Sequence, residues 1–197
     1  MNARRAVAAV LVPLLLTAAC GGGPAEGRPV SAASEVAAKH NDGDVMFLQM
    51  MIEHHGQGIE MAELAAERTR REEVRILAGA VKATQTEEAK RMVSWLRAWS
   101  KPLKAPHAHG HHAHGHHAHD GAMPGTTARE IDALRETEGT AFETAFLNLF
   151  IAHQHNAVEM AGTELREGAN PDAKAFAERV RRSRTDQVKQ LLGLLNA

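Results

Sequence analysis

Cysteine occurs once in this chain, at Cys20, and tyrosine not at all; aromatic residues make up 4% of the sequence. A lone cysteine excludes an internal disulfide. Formal net charge is −1, with both signs interspersed, so no basic face is set aside for nucleic acid. No serine or cysteine nucleophile is paired with a base, and there is no glycine-rich phosphate loop and no nucleotide fingerprint. These absences point away from an enzyme. No stretch alternates apolar and polar residues with β-branched or aromatic types, which excludes a sheet protein.

The one long apolar run, "AVAAVLVPLLLTAAC", follows Arg4 and Arg5 and precedes "GGGPAEGRP". A basic start, an apolar stretch too short for a mature membrane span, and small residues at its end read as a secretory signal over residues 1–19. Cys20 behind Leu16-Thr17-Ala18-Ala19 resembles a bacterial lipobox, in which it becomes the lipid-bearing first residue. Threonine three places before the cysteine departs from the usual leucine, and the alternative is a soluble secreted chain with an ordinary cleavage site. Residues 20–40 then form a flexible tether to a bundle domain at 41–197.

Within that domain the chain repeats itself. "FLQMMIEHHGQGIEMAEL" from Phe47 returns as "FLNLFIAHQHNAVEMAGTEL" from Phe146, and Phe47/Phe146, His54/His153, Met61/Met160, Val81/Val180 and Leu96/Leu195 all keep one offset of 99 residues. A duplicated pair of helices is implied. Apolar residues recur at three and four, predicting helices at about 43–68, 71–99, 127–167 with an interruption near Gly139, and 171–195. Asn41-Asp42 caps the first, and "GANP" stops the third and starts the fourth at Pro171.

Short connections join helices 1 to 2 and 3 to 4, whereas about 25 residues, within 101–126, separate the two pairs. Two hairpins with one long crossover make an all-α, ferritin-like four-helix bundle, in which matched positions of helices 1 and 3 face each other. His54 and His55 would meet His153 and His155 near mid-bundle. Imidazole suits copper, zinc, nickel and iron, and Met50, Met51, Met61 and Met160 nearby add soft thioethers that favour Cu(I). Methionine at helical spacing also serves as core filling, and a histidine cluster also serves as a hydrogen-bonded polar patch. On helix 2, Gln85 and Glu88 face inward. Glu88 either pairs with Arg184 of helix 4, or stands with it at the rim in water, or approaches His54 or His153 and orients that imidazole from behind.

The crossover "HAHGHHAHGHHAHD" holds eight of the thirteen histidines: His107, His109, His111, His112, His114, His116, His117 and His119. Imidazoles spaced by alanine and glycine wrap Cu(II), Zn(II) or Ni(II), with binding lost on acidification. Such a segment need not fold until metal binds.

"MFLQMMIEHHGQGIEMAELA" with "QTEEAKRMVSWLRAW" and "AFLNLFIAHQHNAVEMA" resembles the domain of unknown function family 305, which includes CopM-type copper-binding proteins of the bacterial envelope. The resemblance spans Asp44 to Leu195. It implies a secreted or membrane-anchored bundle of a family in which some relatives bind copper and most have no agreed function, with Met51, His54, His55 and Met61 carried over in the first half and His153 and Met160 in the second. The second half departs from the pattern at His153-Gln154-His155 and at Leu149-Phe150, so one asymmetric site is expected rather than two. The reading is an envelope lipoprotein that buffers copper or hands it to an envelope acceptor. Two alternatives stand beside it: a di-metal oxidoreductase, although no Glu-x-x-His motif lies in the bundle helices, and a metal-free interaction module.

Overall fold

The computed structural model describes residues 39–105 and 126–197. The leader with Cys20, the tether up to residue 38 and all eight crossover histidines lie outside the described residues. Among the described residues the fold is entirely helical: α1 (Asp42–Arg68), α2 (Glu72–Ala98), α3 (Ala128–Arg135), α4 (Gly139–Glu167) and α5 (Pro171–Leu195). None of these helices is long and apolar enough to cross a membrane.

Local chemistry sets the helix ends. Asn41 closes a capping box with Asp44, satisfying two of the backbone N–H groups that a helix start leaves orphaned. Asn170 accepts from the backbone N–H groups of Asp172 and Ala173, with Pro171 in the first turn. The third predicted helix is in fact two. α3 opens on a Thr127–Glu130 capping box, ends at Arg135, and gives way to a turn before α4 starts at Gly139 with φ of 57°. That left-handed backbone is open to glycine at little cost.

The helices pack as two antiparallel hairpins, α1 with α2 and α4 with α5, joined chiefly through α1 against α4. Partners along that seam run in opposite directions: Asn41 reaches the carbonyl of Glu167, His54 that of His153, and Arg68 that of Arg135. The ends of the crossover are tied down as well. Gln49 donates to the carbonyl of Pro102, and Thr126 is hydrogen-bonded to His153.

The apolar core is divided in two. One cluster holds Phe47, Leu48, Met51, Met92, Trp95, Met160 and Phe176; the other holds Met61, Leu77, Phe142, Phe146, Phe150 and Leu191. Between them in the sequence of every long helix come buried polar residues: His54 and His55, Gln85, His153 and Gln154, and Arg184. The bundle therefore has a polar layer across its middle.

Candidate functional site

Each helix contributes to that layer at equivalent places in the repeat. The 99-residue offset matches His54 with His153, His55 with Gln154, Gln85 with Arg184 and Glu88 with Gln187. The imidazoles of His54 and His153 stack, with ring centroids 3.6 Å apart and planes 16° from parallel. His54 Nε2–H donates to the His153 carbonyl at 3.0 Å, and His153 Nδ1 is hydrogen-bonded to Thr126 Oγ1 at 2.9 Å. On α4 the stack continues into an aromatic ladder, with Phe150 5.5 Å from His153, then Phe146 and Phe142.

The flanks of the pair differ. His55 Nε2–H donates to Glu88 Oε2 at 2.7 Å, and the same oxygen accepts from the Arg184 guanidinium. On the other side, Gln154 donates to Gln187, an amide in place of a charge. Gly58 makes the room: a β-carbon there would lie 2.3 Å from Gln85 Oε1 and 2.8 Å from His153 Nε2.

Burial governs the electrostatics. Desolvation first, then the neighbouring His55, depresses His54 to about 3. Burial also lowers His55 against the pull of Glu88, and burial plus the other two imidazoles lowers His153 well below its ordinary value. All three are neutral at pH 7. Burial alone would raise Glu88, but the His55 and Arg184 hydrogen bonds and charges outweigh it and hold the carboxylate ionised.

The sequence-predicted residues therefore fall into groups. His54, His55, His153, Gln85 and Glu88 meet in the layer; Glu88 pairs with Arg184, as expected, and the imidazole it holds is that of His55 rather than of His54 or His153. His155 is exposed on α4, apart from them, because its neighbour Gln154 occupies the position equivalent to His55. Met51 and Met61 are both fully buried but in different apolar clusters. Ten residues of helix separate them by about 15 Å, so they do not share an ion. Met160 packs with the first cluster and Met50 at its edge. Sequence reasoning took Gln154 only as a departure from paired histidines, although the strict repeat offset sets it at the place of His55, and it passed over Thr126 and Gly58.

A metal ion does not fit this layer as it is built. His54 Nδ1 and His153 Nε2 are buried without hydrogen-bond partners, and neutral imidazole nitrogens are suitable donors. Yet ring lone pairs lie in the ring planes, and near-parallel stacked rings cannot aim both at one point about 2.0 Å away. Arg184, fully buried beside them, further opposes an added cation. Among the described residues no group of three or more His, Cys, Asp or Glu side chains is placed to hold an ion.

Three solved structures can be set beside this fold. A DUF305 protein from Streptomyces coelicolor, described as secreted, is 26% identical with a TM-score of 0.67 over 78% of this chain and 91% of its own. CopM in its Cu(II)-bound form is 28% identical, TM-score 0.63, covering 78% and 95% of the two chains. CopM in its Cu(I)-bound form is 25% identical, TM-score 0.61, with the same coverage. No curated protein matches the chain. Residues 44–195, the whole of the duplicated bundle, match the domain of unknown function DUF305, and the chain belongs to that family.

Proposed function

We propose that this protein binds and buffers copper outside the cytoplasm, anchored to the membrane by lipid on Cys20, without catalysing a reaction. The observation that carries the reading is the crossover from His107 to Asp120, in which eight imidazoles join the two halves of the bundle. Closely spaced imidazoles bind Cu(II), with Zn(II) or Ni(II) as competitors, and release them as they protonate near pH 6.5. Likeness to CopM, whose structures contain Cu(I) and Cu(II), supports copper as the cargo. The family relative described as secreted supports the compartment.

In this reading the bundle is the rigid part and the crossover the capturing part. Gln49 on Pro102 and Thr126 on His153 hold its two ends against the helices. Buffering, with release to an envelope acceptor, suits a set of many equivalent imidazole donors better than tight sequestration does. Such a set gives avidity without a fixed geometry.

Titration of Cu(II) into the full chain, and into a chain with all eight loop histidines replaced by asparagine, tests this. Two or more equivalents in the first and their loss in the second are expected. Equal binding by both, or none by either, would overturn the reading.

A further inference from the structure

The short helix α3 belongs to neither hairpin. It lies along the second half of α1: the Thr126 backbone N–H donates to Gln57 just before it starts, and Arg68 donates to the carbonyls of Arg135 and Thr137 where it ends. Ile131 and Leu134, three residues apart, are 3% and 2% exposed and share a cluster with Met61, Phe142 and Phe146 of the α1–α4 seam. At the rim Arg135 pairs with Glu60.

The duplication builds a second seat of this kind. At the other end of the same seam the surface opens into a groove of about 840 Å³, lined by the start of α1 and the end of α4. Its walls are the repeat partners of the surface that α3 packs on: Met46 matches Ala145, Met50 matches Leu149, Met160 matches Met61 and Glu159 matches Glu60. Ala145 and Leu149 are packed against the cluster that holds Ile131 and Leu134, whereas Met46 is 48% exposed. Among the described residues, then, one seat is filled by a helix and its counterpart faces solvent.

We propose that this groove docks a short, basic amphipathic helix of a partner protein, seated as α3 is on the matching surface. Methionine side chains adapt their shape to what packs on them. Those of Met46, Met50 and Met160 suit two branched apolar side chains three residues apart, the pattern that Ile131 and Leu134 supply at the filled seat. Charge sets the rest of the guest. Glu159 has no ion pair among the described residues, and it stands at the place of Glu60, which α3 answers with an arginine. Glu167 stands where Arg68 meets the last carbonyls of α3. An acid there repels a bare carbonyl end, so the guest brings a second base to its last turn. The cations on the walls leave both acids to the guest: Arg181 is tied to Glu178, and Arg166 is hydrogen-bonded to Thr163. A helix laid in a groove through spaced apolar anchors is a common mode of protein recognition. This surface involves no metal and stands apart from the buffering role.

A labelled synthetic peptide of residues 127–137 carrying Thr137→Lys, titrated into the full chain and followed by fluorescence anisotropy, tests the docking. Saturable binding at one equivalent is expected. M46E, at a half-exposed position, and E159K, at an exposed one, should each weaken it about tenfold or more, the loss of one anchoring contact. The same peptide with Arg135→Glu should bind the parent weakly and regain affinity for E159K, a recovery that mere loss of folding would not give. E60K, the matching change beside α3, should leave binding as it is. Absence of binding, an equal loss in E60K, or no recovery in the reversed pair would overturn the proposal. So would a dimer of the full chain that M46E dissolves, which gives the groove to a second copy. A photo-cross-link from position 46 to residues 20–38 would overturn it as well, giving the groove to the chain's own tether.

Discussion

Arg184 is fully buried, and the carboxylate that neutralises it, Glu88, belongs to the other hairpin. Glu88 also holds His55, so one side chain joins α2 to both α1 and α5. Breaking a buried pair by removing one partner costs about 3–5 kcal/mol, more than the pair itself contributes, because the remaining charge is stranded. Glu88→Gln should therefore lower stability by about that amount. Glu88→Gln with Arg184→Gln, which copies the amides already present at Gln187 and Gln85, should recover most of it. Chemical denaturation of the two singles and the double measures the coupling, and additive losses would refute a direct pair.

Acid should unfold the protein through its imidazoles. His54, His55 and His153 are all lowered in the folded state, mainly by burial, His54 to about 3. A depressed group contributes stability that is present above its unfolded value, 6.5, and lost as pH falls toward the folded one. Between pH 6.5 and 3 the unfolded chain binds more protons, so stability falls steadily as pH drops. In NMR titrations the His54 ring should stay neutral from pH 7 to 5, and His55 and His153 should take up protons only below the ordinary imidazole value. Protonation of any buried ring above pH 6 in the folded protein would contradict this.

Alkali should act through Glu164, whose carboxyl burial and neighbouring Asp44 raise to about 8. A raised group contributes stability fully present below its unfolded value, 4.5, and lost as pH rises through the folded one. Asp44 shifts the opposite way. Burial opposes its ionisation, but the backbone N–H groups of Asn41, Asn170 and Ala169 overcome that. Glu164→Gln should thus gain at least about 1 kcal/mol at pH 9, one unit's worth of shift, and nothing at pH 5. Stability curves that stay parallel across this range would remove the proton from Glu164.

Two glycines on α1 should respond oppositely to alanine. At Gly58 the added carbon meets Gln85 and His153 inside the polar layer, and overpacking of this kind costs about 1–3 kcal/mol. At Gly56, where nothing lies within 4 Å, alanine should gain up to about 1 kcal/mol from helix propensity. Thermal unfolding of the two variants decides it, and a neutral G58A would mean that the layer yields.

Much of this architecture could be read from residues alone. Asn41 and Pro171 mark helix starts because caps act locally, and the repeat sets His54 against His153 because a two-fold bundle superposes matched positions. What escaped reading depended on distance through the core. His155 looks like the partner of His55 by residue type, yet one position on a helix turns a side chain by about 100°, from the layer to the solvent. Met51 and Met61 look like one ligand set in a short motif but belong to different clusters. The break before Gly139 was legible as a place, though the separate short α3 depends on Arg68 reaching across to Arg135 and Thr137.

The uneven flanks of the histidine pair bear on which hairpins can mate. Two copies of the first would face Glu88 with Glu88 and supply no arginine; two copies of the second would face Arg184 with Arg184 and supply no acid. Only the mixed pairing is neutral. Expressed as separate polypeptides, residues 39–105 and 126–197 should find each other and reject their own kind. The two halves of the duplication are thus complementary to each other and not to themselves.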